Sequence, residues 1–194
     1  MSQETQIIKI GTDINNHMPT IVTACLGNIV KQPDCDAIVN SANPSLRAGS
    51  GVCGAIHKAA GRELELSAVQ YAPLGLAQAV ATSGFNLPNR FVIHCRGPKY
   101  EFDPEPAANL ALCLANILLV ADREGVARIA IPAISMGIYG YPPDEAVPIM
   151  ISQAMEMAGR LQNVEEVRFV LTSEKLLSLF IDGIGKHPAS CRAD

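Results

Sequence analysis

The chain alternates short apolar runs with longer stretches of helical periodicity. Runs at 7–10, 20–26, 37–40, 78–82, 91–95, 128–133 and 167–171 are rich in Ile, Val, Ala and Thr and predict strands. Of the last four, three are near-continuous apolar segments, the pattern of a strand covered on both faces. Residues 51–60 place Val52, Ala55, Ile56, Ala59 and Ala60 at helical spacing, with Ser50 as N-cap and Gly61 as the stop. Asp103, Pro104 and Glu105 supply a capping acid, a first-turn proline and a first-turn acid. They predict a helix that ends at Gly125. Pro142 and Pro143 open another, which runs to about Gly159. The last starts near Thr172 and Ser173 and carries Leu176, Leu177, Phe180 and Ile184 on one face.

Strands that alternate with helices of this length imply crossover connections. The expected fold class is α/β: a three-layer α/β/α sandwich around a mixed, mostly parallel central sheet. In such sheets the ligand crevice lies beyond the carboxyl ends of the strands. The segments after Asn40 and after Ala133 are therefore where chemistry is expected.

Composition narrows the class. The 194 residues suffice for one core, so a single domain over 1–194 is expected, with its core at about 6–185 and a short polar C-terminal tail. An apolar fraction of 48% against 18% charged excludes a disordered chain. The net charge is −4, and without a basic run non-specific nucleic-acid binding is not expected. The six cysteines, Cys25, Cys35, Cys53, Cys95, Cys113 and Cys191, form no C-x-x-C pair, which argues against structural zinc or a disulfide framework. MSQETQIIKI lacks the pattern of a signal peptide, and the apolar run at 113–121 is too short to span a bilayer. The expectation is a cytoplasmic protein with no membrane partner, no metal and no cofactor.

The loop after the third strand contains GSGVCG, Gly49 to Gly54, which fits the G-x-G-x-x-G pattern of dinucleotide-binding loops. Two context tests fail. The first glycine comes nine residues after the strand ends at Asn40, and no acid ends a strand near Gln70–Tyr71. The local physics still favours an anion, because Gly49, Ser50 and Gly51 lead straight into a helix N-terminus with free N–H groups. Asn40 and Asn43 leave the strand together, and amides of this kind suit hydroxyl partners such as a ribose. After the sixth strand, Ser135, Met136, Gly137, Ile138, Tyr139 and Gly140 repeat the arrangement ahead of another helix. Two glycine loops of this type can clamp a pyrophosphate from both sides.

VNSANPSL, GSGV-x-GAIHKAAG, LPNRFVIH and PAISMGIYGYP, in this order and spacing, resemble the macrodomain family. The resemblance covers nearly the whole chain. It implies a cleft for ADP-ribose, free or attached to an ADP-ribosylated protein. In many members it also implies hydrolysis of ADP-ribosyl esters or of O-acetyl-ADP-ribose. By position, Asn40 and Asn43 would lie at the distal ribose, Gly49, Ser50, Gly51 and Val52 along the first phosphate loop. Ser135, Met136, Gly137, Ile138 and Tyr139 would form the second loop. Gly27, Asn28 and Ile29 stand where members often carry Gly-Asp-Ile, the aspartate holding the adenine amino group.

The departures from that pattern set the functional question. Cys53 replaces an aspartate that the hydrolytic branch uses to orient water. Asn28 replaces the adenine-site aspartate, Thr172 an aromatic that covers the base, and Ser50 and Met136 stand where glycine and threonine are common. Three readings of Cys53 compete: an inert small side chain, the mark of a binding-only domain, and a thiolate activated by its first-turn position and by His57 one helical turn on. The expected function is ADP-ribose binding with weak or absent hydrolysis. The alternatives are an ester hydrolase whose water is positioned by Asn43 and the ligand diphosphate, and a binder of another nucleotide or an RNA end. His94 reads as a core or rim histidine.

Overall fold

The computed structural model describes residues 6–9 and 20–187. Ile10, His17 and Cys191 lie outside the described residues. Seven strands form one sheet in the order β1-β2-β7-β6-β3-β5-β4. They are β1 (Gln6–Lys9), β2 (Ile21–Leu26), β3 (Ala37–Ser41), β4 (Ala79–Ser83), β5 (Phe91–Cys95), β6 (Arg128–Ile131) and β7 (Glu166–Leu171). The inner pairs are parallel. The outermost strands β1 and β4 are antiparallel to their neighbours, so the expected mixed, mostly parallel sheet is what forms.

Side-chain alternation divides the core into two layers. Ala37, Val39, Ile93, Ile129 and Phe169 pack with α3 (Pro106–Arg123), α4 (Pro143–Ala158) and α5 (Glu174–Lys186). Ile38, Val92, Ala130 and Val170 face the other way, onto Ile56 and Ala60 of α1 (Gly51–Ala60) and Leu64 of α2 (Arg62–Ala68). Each fully buried Ile, Leu or Val contributes roughly 1.5–3 kcal/mol of transfer free energy. Helix α3 is long and apolar enough to cross a membrane by length and composition, more so than its 113–121 run suggested. Here its apolar face, with Leu110, Leu114 and Ile117 fully buried, covers the sheet.

Two local expectations need correction. Gly61 does stop α1, with φ of 90°, but the chain turns there and starts α2 at once. Glu63 and Glu65 sit in the first turn of α2 and Leu64 and Ala68 are buried, an amphipathic helix too short for its period to stand out. Helix α3 begins at Pro106 rather than Pro104, because Glu105 adopts a left-handed backbone with φ of 44°. The Asp103 carboxylate instead accepts from Lys99 N–H at 2.8 Å and pairs with Arg96 at 3.5 Å. The other ends agree more closely, and Ser173 caps α5 by accepting from Leu176 N–H at 3.3 Å.

A polar chain crosses β3, β5 and β4 inside this apolar core. Asn40 Nδ2 lies 3.0 Å from His94 Nδ1, and His94 Nε2 lies 2.9 Å from Thr82 Oγ1. An amide nitrogen only donates, so Nδ1 is the acceptor and the ring proton sits on Nε2. His94 is therefore a satisfied core histidine with no exposed surface. Burial, reinforced by nearby His57, pushes its pKa down to about 3. An unfolded histidine titrates near 6.5, so below that pH the unfolded chain takes up a proton that the folded chain refuses. This part of the stability is complete above pH ~6.5 and is lost as the pH falls from there toward 3. His94→Gln should flatten the fall in melting temperature over that interval, as read by thermal denaturation across pH.

Candidate functional site

The carboxyl ends of the strands open into one cleft of about 1450 Å³. Four loops build it. The segment after β3 brings Asn43, Ser50, Gly51, Val52 and Cys53, and the segment after β6 brings Ser135, Met136, Gly137, Ile138 and Tyr139. The ends of β2 and β7 add Asn28, Ile29, Thr172 and Glu174. Leu176 and Leu177 of α5 line the wall between. Sequence periodicity put these two leucines on one face of the last helix with Phe180 and Ile184, and nothing in their spacing distinguishes a cleft wall from a core face.

Three glycines of the first loop meet different constraints. Gly51 starts α1 with φ of 60°, where an L side chain is strained. A Cβ at Gly54 would press into the Gly49 carbonyl oxygen, so loop and helix touch through bare backbone. A Cβ at Gly49 would stand 3.4 Å from Asn43 Nδ2 and 3.7 Å from Cys53 Sγ, which places those groups around one point. Ser50 occupies the N-cap position but its hydroxyl makes no cap hydrogen bond, which leaves it on the cleft wall.

The second loop is tied to itself and to the first. Gly140 N–H donates to Gly137 O at 2.9 Å and Tyr141 N–H to Ser135 O at 2.9 Å. Tyr139 Oη donates to Ala42 O at 3.4 Å across the two loops. Lys99 Nζ sits 5.6 Å from the centre of the Tyr139 ring. Ser135 is left-handed with φ of 64°, and its buried hydroxyl has no partner among the described residues.

Several expected site residues stand differently. Asn40 does not line the cleft; it is fully buried behind it, committed to His94. Its strand position turns the side chain inward before the loop begins. Gly49 and His57 are likewise absent from the lining. Asn43 reaches the cleft, but its amide is spent on its own loop: Nδ2 donates to Arg47 O at 2.8 Å, and Oδ1 accepts from Ser45 Oγ at 2.7 Å and from Arg47 N–H at 3.4 Å.

Cys53 is 6% exposed and its thiol faces Arg47 O at 3.6 Å. Burial raises its pKa, and hydrogen bonds from the Asn40 amide and the loop backbone oppose this only in part. The expectation that a first-turn position lowers it is thus reversed. Helix-dipole effects of about 0.3–1 kcal/mol are smaller than the cost of burying a thiolate. His57 is also buried, is pushed down by that burial, and has no partner for either ring nitrogen among the described residues. No hydrogen bond joins the two, since the thiol faces Arg47 O and neither His57 ring nitrogen has a partner among the described residues, so His57 is not placed to take the thiol's proton. Among the described residues no group of three or more His, Cys, Asp or Glu could hold a metal.

A family model described as Macro domain matches residues 39–150. The chain belongs to the Macro domain family. A Macro domain-containing protein of Ralstonia nicotianae is 40% identical over 148 residues, 76% of this chain and 86% of its own. The Oceanobacillus iheyensis macrodomain with ADP superposes with a TM-score of 0.83 at 33% identity, covering 94% of this chain and 96% of that one. The Trypanosoma brucei macrodomain in complex with ADP-ribose gives 0.78 at 28% identity, over 84% and 69%.

Two outcomes follow for this macrodomain. Gly54→Ala should destabilise the fold by about 1–3 kcal/mol and displace the first loop, measured by denaturant unfolding. At pH 7, Cys53 should alkylate with iodoacetamide more slowly than free cysteine, followed by mass spectrometry of the labelled peptide.

Proposed function

We propose that this macrodomain binds ADP-ribose or a close derivative, free or carried by a modified protein, and hydrolyses it weakly or not at all. The observation that carries the reading is the buried, protonated thiol of Cys53 beneath two glycine loops that share one cleft. The relatives solved with ADP and with ADP-ribose support the choice of ligand class. In this reading the diphosphate lies between the start of α1 and the second loop. The free N–H groups and dipole of the α1 N-terminus favour its charge. Tyr139 stands over the distal ribose, beside Asn43 and Cys53, and the base lies toward Asn28 and Ile29. Asn40 supports this site from behind by holding the strand end.

Ester hydrolysis needs a water held beside the distal ribose and relieved of a proton. A carboxylate accepts strongly from such a water; a protonated thiol accepts weakly. The Asn43 amide has its oxygen engaged by Ser45 and Arg47 and is a poor substitute. Calorimetric titration with ADP-ribose should give saturable heat. No heat and no thermal shift at millimolar ligand would overturn the reading. Cys53→Asp should raise release of ADP-ribose from a glutamate-modified protein by roughly 10²-fold, the scale of general-base assistance. A fall in that rate would instead make Cys53 part of the chemistry.

A further inference from the structure

The sheet ends on an unprotected strand. Among the described residues β4 pairs with β5 alone and is the last strand of the sheet. Its sequence, AVATS, holds no charge and no proline, devices that ordinarily keep an edge from pairing again. The opposite edge, β1, carries Lys9. The ladder shows which groups of β4 face outward. Gly84 N–H donates to Arg90 O at 2.9 Å and Arg96 N–H to Gln78 O at 3.1 Å, so the even-numbered positions exchange bonds with β5. The N–H and C=O groups of Ala79, Ala81 and Ser83 therefore point away from the sheet. Those of Ala79 and Ala81 have no partner among the described residues, and Ser83 O meets the Thr82 hydroxyl at 3.3 Å.

The helix beside this edge is apolar on its outer face as well. α3 packs over β4 and β5 and has α4 on its other flank. None of the residues 106–121 is charged. The two polar side chains in that run are spent on backbone: Asn109 Nδ2 donates to Pro104 O at 2.8 Å, and Asn116 Nδ2 to Ala77 O, just before β4, at 2.9 Å. What remains on the outside is Ala108, Leu112, Ala115 and Leu119, one stripe at helical spacing. Leu112 and Leu119 are 52% and 54% exposed. The two ends of the helix carry opposite charges, Glu105 at the N-cap and Arg123 in the last turn.

We infer that β4 pairs with β4 of a second copy of this chain, antiparallel about a two-fold axis at Ala81, so that two sheets become one. Ala81 then faces its own counterpart and Ala79 faces Ser83, the register that engages every outward N–H and C=O. The same axis, normal to the sheet, sets the two α3 helices side by side and antiparallel on one face. Strands about 4.8 Å apart, with each helix seated between β4 and β5, put the helix axes roughly 10 Å apart, the distance of packed helices. Ala108 and Ala115 leave room for Leu112 and Leu119 of the other copy. The Glu105 end of each helix lies beside the Arg123 end of its neighbour. A second copy supplies the register, the apolar stripe and the end charges together, which selects it as the occupant. No residue of β4 or α3 lines the cleft, so this inference stands apart from the proposed function.

Sedimentation equilibrium of the full chain over a range of concentrations tests it, with Ala81→Pro and Leu119→Lys alongside the wild type. The wild type should be dimeric at roughly 100 μM and dissociate on dilution. Proline at position 81 deletes an N–H that faces outward, so the monomer keeps its bonds to β5 while the central pair of the new ladder is lost. Leu119→Lys places a charge on the exposed stripe and leaves the core of the monomer untouched. Each substitution should weaken dimerisation at least tenfold. Circular dichroism and thermal melting confirm that the variants fold, and if Ala81→Pro does not, Leu119→Lys decides alone. A wild type that sediments as a monomer at roughly 100 μM overturns the inference. So does a dimer that a folded variant of either kind leaves equally tight.

Discussion

The burial of β3 between β6 and β5 is the constraint on which the rest depends. Ala37, Ile38, Val39 and Asn40 have no exposed surface, and parallel partners hold the strand on both sides. Asp36 fixes its start by accepting from Ala127 and Arg128 N–H, each at 2.9 Å. The chain of Asn40, His94 and Thr82 fixes its end across two further strands. Displacing this chain would break its two buried hydrogen bonds in an apolar setting, although Asn40 Oδ1 itself has no partner among the described residues. The first glycine loop therefore leaves from a rigid point. The second leaves β6, the next strand over, and the two meet through Tyr139 and Ala42.

This rigidity decides the chemistry as well as the shape. The same packing that holds the loop close to α1 also excludes water from Cys53 and His57. Desolvation acts on both in the direction that removes charge, so the thiol keeps its proton and the imidazole does not gain one. The helix N-terminus remains a good place for a ligand's negative charge. It is a poor place for a side chain to develop charge beneath the loop.

The sequence carries the architecture in its periodicity. Continuous apolar runs separated by helical stretches lead to parallel strands covered on both faces, and that is the fold. The glycine pattern points to the two loops that line the cleft, where Gly51, Gly54 and Gly140 answer backbone demands that other residues meet poorly. What escaped detection has a physical reason. Helix α2 is too short for a period of 3.6 to register. The start of α3 turns on a left-handed Glu105, a conformation that composition does not announce. Asn40 and Asn43 look alike in a string, yet one faces the core and the other the loop, because strand alternation ends between them. The pKa direction of Cys53 depends on burial, which is a property of the packed molecule and not of a residue's place in a helix.

The strand order has a consequence for how such a protein can diverge. The loops after β3 and β6 come from neighbouring strands, and the segments after β2 and β7 come from another neighbouring pair. In the proposed reading, the grip on the invariant part of a nucleotide and the contacts to its variable part thus sit on separate pairs of strands of one sheet. Substitutions in the two pairs that share no partner would add in free energy. A chain built this way can change the letter it recognises while keeping its hold on the phosphates intact. Affinity and identity then become two independent axes along which descendants of one fold are free to drift.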